Sequence, residues 1–87
     1  MLYYILIAYN HKLESGCSGR WMAHFSIRRG NFEDAFDACR KNRRCGCVDT
    51  CDDYYGYQIY EGNTTIHRPG SDACHSWALK VKYFSEW

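Results

Sequence analysis

The sequence predicts an α+β domain, a single helix packed on an antiparallel sheet of about five strands and stapled by disulfides. Three observations carry that expectation. Six cysteines stand in 87 residues, at positions 17, 39, 45, 47, 51 and 74. A chain this short buries too little apolar surface to be secure without help, and cross-links supply it. One segment repeats its apolar residues with helical period, while several others alternate with the period of a strand. The aromatic load of three Trp, eight Tyr and four Phe also suits a strand-rich fold. No internal repeat or linker interrupts the chain, so residues 1–87 read as one domain.

Leu2–Ala8 is apolar on both faces and rich in Tyr and Ile, so it reads as a strand. As a leader peptide it lacks a basic start, and Leu6–Ala8 is a poor small-residue cleavage site. Residues 1–10 therefore read as an N-terminal extension strand of the mature protein. Asn10–Gly19 is polar and reads as a loop carrying Cys17. Trp21–Arg28 alternates cleanly, with Trp21, Ala23, Phe25 and Ile27 on one face. Gly30 breaks that pattern, and Asn31 is a good N-cap for a helix over Phe32–Asn42. Phe32, Ala35, Phe36 and Cys39 share one helical face. Acidic residues early and basic residues late suit the helix dipole. Cys45–Val48 reads as a short strand, with Cys45 and Cys47 on one face if it is regular. Thr50–Asp53 is a turn, and Tyr54–Tyr60 is a strand. Turn signals follow at Glu61–Asn63 and Arg68–Ser71, and Trp77–Phe84 alternates again.

Charge nearly balances, eleven Lys/Arg against ten Asp/Glu, so no global field points to nucleic acid. No stretch approaches the roughly 20 apolar residues of a membrane span. Disulfides persist in oxidising compartments, so the cysteines predict a secreted, extracellular protein. Asn63-Thr64-Thr65 fits the N-glycosylation acceptor pattern and agrees with that reading.

The run Ala35-Phe36-Asp37-Ala38-Cys39-Arg40-Lys41-Asn42-Arg43-Arg44-Cys45-Gly46-Cys47-Val48 resembles the core of PAN/Apple domains. Those domains have a helix ending in a cysteine, a short polar turn, and a cysteine opening a strand. Tyr57–Gly62 and Cys74–Lys80 are similar to the family's later strands, so the resemblance covers roughly Cys17–Lys80. One position departs: Ala35 stands where many members carry a second helix cysteine. The second core disulfide of a typical member is thus either absent or rerouted here. The resemblance implies a helix cradled by an antiparallel sheet, in an extracellular module that binds protein or carbohydrate without catalysis. By the same analogy Cys39 pairs with Cys45, and Cys17 with Cys74. Cys47 and Cys51 then remain to close a tight turn, a span compatible with the roughly 4.4–6.8 Å between bridged Cα atoms. A zinc site drawn from Cys39, Cys45, Cys47, Cys51, Cys74, His67 and His75 is the rival reading of the same residues.

Other groups are candidates for function. Six of the eleven basic residues fall between Arg28 and Arg44, namely Arg28, Arg29, Arg40, Lys41, Arg43 and Arg44. They form a candidate polyanion or glycan site, weighed against a solvated, dipole-matched helix end. The acidic run Asp49, Asp52 and Asp53 follows closely enough to neutralise them. It lacks the calcium-loop pattern and reads as a solvated turn. His11, His24, His67 and His75 are scattered without metal or triad spacing. No Gly-x-Ser-x-Gly elbow is present, so no enzyme and no cofactor are expected. Leu2, Tyr3, Tyr4, Ile5, Leu6 and Ile7 are candidates for β-augmentation with a second copy, building an oligomer or filament. The two function classes that emerge are a recognition module for protein or glycan and a self-assembling extracellular subunit.

Overall fold

The computed structural model describes the backbone of residues 2–26, 32–51, 56–70 and 74–86, and side chains within 9–26, 33–51, 56–70 and 74–80. In chain order the elements are β1 (Leu2–Leu13), β2 (Ser15–Cys17), β3 (Trp21–Ser26), α1 (Phe32–Lys41), β4 (Cys45–Thr50), β5 (Gly56–Glu61), β6 (Thr65–His67) and β7 (His75–Glu86). Five strands form one sheet in the order β1-β7-β4-β5-β3, and β2 pairs with β6 in a separate ribbon. Every pairing between strands is antiparallel. The predicted class, one helix on a five-stranded antiparallel sheet with disulfides, is the observed one.

The central strand β4 is covered on both faces, which is why all but its last residue is buried. On one face α1 packs Ala35 and Cys39 against Cys45, Val48 and Ile59. Phe36 meets Tyr9 edge-on at 4.9 Å and Trp77 at 5.4 Å. On the other face Cys17 of the ribbon sits with Cys47, Tyr60 and Ala78. The helix begins with Glu33 and Asp34 and ends with Arg40 and Lys41, as the dipole favours. Asn42 shapes the turn into β4, accepting from the Arg44 N–H on its side chain at 2.9 Å and from the Cys45 N–H on its carbonyl at 3.2 Å.

Three expectations are corrected. The first strand does not stop at Ala8. It runs 12 residues to Leu13, and the segment read as a loop also contains β2. Pairing explains this: β7 is equally long, and the two strands hold each other from Leu2↔Glu86 to Leu13↔His75. The N-terminal segment is therefore part of the main sheet.

Cys45 and Cys47 do not share a face. A register shift lies between them, Cys45 opposite Glu61 and Cys47 opposite Tyr60. The bulge spends an extra residue at Gly46 and so turns Cys45 toward the helix and Cys47 toward the ribbon.

The disulfides follow from that bulge. Cys39–Cys45 forms as expected, with Cα atoms 5.0 Å apart. Cys17 pairs with Cys47 and Cys51 with Cys74, replacing the expected 17–74 and 47–51 pairs. Once Cys47 faces the ribbon it lies beside Cys17, and the extended run of β4 through Thr50 holds it apart from Cys51 where a tight turn was expected. With every cysteine bridged, the zinc alternative is excluded. Parts of the predicted strands and turns, Ile27–Arg29, Asn31 and Asp52–Tyr55, lie outside the described residues.

Candidate functional site

The helix-to-β4 turn, the β5-to-β6 turn and the middle of β7 converge on an open groove of about 590 Å³. It is lined by Arg43, Arg44, Cys45, Gly46, Gly62, Asn63, Leu79 and Lys80. The backbone dictates this meeting. The Gly62 N–H donates to the Arg44 carbonyl at 3.0 Å, which draws the two turns together. A Cβ at Gly46 would sit 2.6 Å from the Gly62 carbonyl oxygen, so only glycine lets the bulge and the turn approach this closely. Gly62 itself has φ of 75°, a left-handed value suited to glycine, and it swings Asn63 over β7. There the Asn63 side-chain Nδ2 donates to the Leu79 carbonyl at 3.2 Å.

The electrostatics are cationic with a partial counterweight. Arg43, Arg44 and Lys80 are all exposed. Glu61 lies 3.9 Å from the Arg44 guanidinium at the rim, a loose and solvent-screened pair. Such a groove offers point charges and a guanidinium fork to an anion, a side-chain amide for hydrogen bonding, and the buried edge of Leu79 as floor.

The predicted basic cluster is divided by the fold. Arg43 and Arg44 reach the groove. Arg40 and Lys41 instead stay on the helix and pair with Asp37, at 3.7 and 2.8 Å. The Lys41 hydrogen bond holds the Asp37 carboxyl below its ordinary value. Arg28 and Arg29 lie outside the described residues. Sequence reasoning missed Lys80, because it is 36 positions from Arg44 and reads simply as the polar half of an alternating strand. Asn63 was marked only as a glycosylation acceptor, and nothing in its neighbours announces a groove.

Asp49 is corrected outright. It is 1% exposed and belongs to no solvated turn. It lies on the ribbon side of β4, where its Oδ2 accepts from the Cys17 N–H at 3.0 Å. Burial pushes its carboxyl above the ordinary value, against the pull of that N–H, the Arg68 charge and the Tyr60 hydroxyl. Asp52 and Asp53 lie outside the described residues.

The histidines are less scattered than their numbering implies. His11 Nε2 and His75 Nδ1 lie 3.0 Å apart, and His11 stacks on Trp77 at 4.8 Å. The β1–β7 register, His11 opposite Trp77 and Leu13 opposite His75, brings them together. Among the described residues no group of three or more His, Cys, Asp or Glu side chains is arranged to hold a metal ion. Nor is any described helix long and apolar enough to cross a membrane.

Fold and groove together define a disulfide-stapled α+β domain with a shallow cationic cleft. The chain matches no protein-family model, no curated protein and no solved structure.

Proposed function

We propose that this domain is a secreted, PAN/Apple-like binding module that recognises a polyanionic glycan through the groove and performs no catalysis. The observation that carries the reading is the convergence of Arg43, Arg44 and Lys80, from two distant parts of the chain, around one open cleft. Arg presents a planar fork that matches sulfate and carboxylate groups, and Lys adds a compact charge. An open groove beside exposed turns suits a chain-like ligand better than a small enclosed one. Three disulfides in so short a chain support the secreted setting.

Retention on immobilised heparin tests this. Each rim contact contributes roughly 0.2–1 kcal/mol. Replacing Arg43, Arg44 and Lys80 together by Ala should then weaken binding by about three- to a hundredfold at physiological salt. Replacing Arg40 and Lys41, which face Asp37, should leave retention nearly unchanged. Equal losses from both variants would reduce the groove to a general charge effect and overturn the reading.

A second reading rests on a separate observation. β1 is 12 residues long and forms one edge of the main sheet. Its pairing with β7 uses only one side, and a long edge is a template for another strand. Self-assembly through Leu2–Ile7 predicts a mass by light scattering that grows with concentration. A strictly monomeric chain across the micromolar to millimolar range removes it.

A further inference from the structure

We propose that N-glycosylation at Asn63 gates the cationic groove: the modified chain carries its own sugar in the cleft and loses its polyanion site. This rests on the binding role given above to Arg43, Arg44 and Lys80. The juxtaposition is specific. Asn63 is at once the acceptor of the Asn63-Thr64-Thr65 pattern and a wall of the groove, between Gly62 and the Leu79–Lys80 stretch of β7.

The chemistry fits the geometry. Asn63 is exposed, as a glycan-bearing residue must be in the folded state. Its Nδ2 carries two hydrogens, and one serves the Leu79 carbonyl at 3.2 Å. Glycosylation forms a bond between Nδ2 and C1 of the N-acetylglucosamine of a lipid-pyrophosphate-linked oligosaccharide: the C1–O bond to pyrophosphate breaks, the lipid pyrophosphate leaves, and the displaced Nδ2 proton passes to the transferase's base and solvent. The N–H that remains can still donate to Leu79. That bond then fixes the direction of the new C–N bond, so the first sugar begins at the groove wall. A branched oligosaccharide rooted there occupies the space above Arg44 and Lys80 that an incoming anionic chain needs. The N-acetylglucosamine and mannose core next to Asn63 is neutral where the ligand is charged, so at the groove wall it blocks by volume.

The rest of the acceptor pattern is held outside the groove. The Ser18 N–H donates to the Thr64 carbonyl at 3.0 Å, and Lys12 Nζ donates to the Thr65 hydroxyl at 3.3 Å. Thr65 opens β6 and does not line the cleft. The pattern can therefore be destroyed without touching the site.

Four proteins test the gate: wild type secreted by a glycosylating eukaryotic host, wild type from bacterial periplasm, and Thr65→Val and Thr65→Ser from the eukaryotic host. Intact mass reports occupancy of Asn63, and elution salt from heparin reports the groove. Thr65→Val abolishes the acceptor and keeps side-chain shape, while Thr65→Ser preserves the acceptor. The expected result is tenfold or greater weakening for glycosylated wild type and for glycosylated Thr65→Ser. Thr65→Val and the bacterial protein should be retained equally and strongly. Glycosylated and unglycosylated wild type eluting together would overturn the gate and leave the groove intact as a binding site. An unmodified Asn63 in the eukaryotic product would overturn it as well. Failure of every unglycosylated form to bind would instead overturn the polyanion reading, and the gate with it.

Discussion

The two faces of the central sheet are built from different materials. Under α1 the contacts are apolar and aromatic: Ala35, Cys39, Val48 and Ile59 at the centre, with Phe36, Trp77 and Tyr57 around them. Under the β2–β6 ribbon polar tethers surround a smaller apolar cluster of Cys17, Cys47, Tyr60 and Ala78. Ser15 and Ser76 share a buried hydroxyl–hydroxyl hydrogen bond, Cys17 N–H binds Asp49, and Cys17–Cys47 closes the joint. The helix face gains its stability from area removed from water, which is non-directional and cooperative. The ribbon face gains little area from a strand of three residues, so it relies on directional bonds and one covalent link. The first kind of face should fail globally and the second locally.

Paired substitutions test that contrast, and they carry the largest effects expected. Ile59→Ala removes a side chain that is 4% exposed from the helix-side core. It should cost about 3 kcal/mol and lower protection from hydrogen exchange throughout the molecule. Replacing Cys17 and Cys47 together by Ala opens a bridge spanning 30 residues. The chain-entropy model puts that loss at roughly 3–4 kcal/mol at most. Its exchange signature should differ: β2 and β6 lose protection first, while α1 and the β4–β5 pairing keep theirs until global unfolding. If α1 loosens in step with the ribbon, the two faces form one cooperative unit and the contrast fails.

The same division sets what the sequence disclosed. The helix face was legible because its signal is periodic. Ala35, Phe36 and Cys39 recur at helical spacing, and Val48 and Ile59 sit in strand-like runs. The ribbon face had no such signal. Ser15-Gly16-Cys17 looks like loop sequence, and only its pairing with Thr65–His67 makes it a strand. Asp49 is a charged residue among charged neighbours until the fold buries it. The bulge at Gly46 is the pivot of both outcomes. A one-residue insertion exchanges the faces of all that follows, and period counting across it puts Cys47 on the wrong face. The groove was half legible for a related reason: Arg43 and Arg44 stood out as a cluster, but Lys80 and Asn63 join them only through tertiary pairing.

Acid separates the two faces by sign, with the smallest energies. Asp37 on the helix has its carboxyl lowered from 3.8, chiefly by the Lys41 hydrogen bond. Its folded form resists protonation, so the stability it contributes is present above 3.8 and is lost as pH falls through the lowered value. Asp49 under the ribbon is raised from 3.8, chiefly by burial. Its folded form takes up a proton more readily than the unfolded chain does. In the window between the raised value and 3.8 stability therefore increases as pH falls, and the gain is complete below 3.8. Urea unfolding across that range should show Asp49→Asn flattening the slope above 3.8, while Asp37→Asn removes a constant contribution above 3.8 and changes the slope only below it. Asp49→Asn keeps an acceptor for the Cys17 N–H and should shift stability at neutral pH by less than about 1 kcal/mol. Asp49→Ala leaves that donor buried and unpaired and should cost about 1–3 kcal/mol, with β2 the first strand to exchange. A slope above 3.8 that survives in Asp49→Asn would assign it to another group and remove Asp49 as the acid-responsive element of the ribbon face.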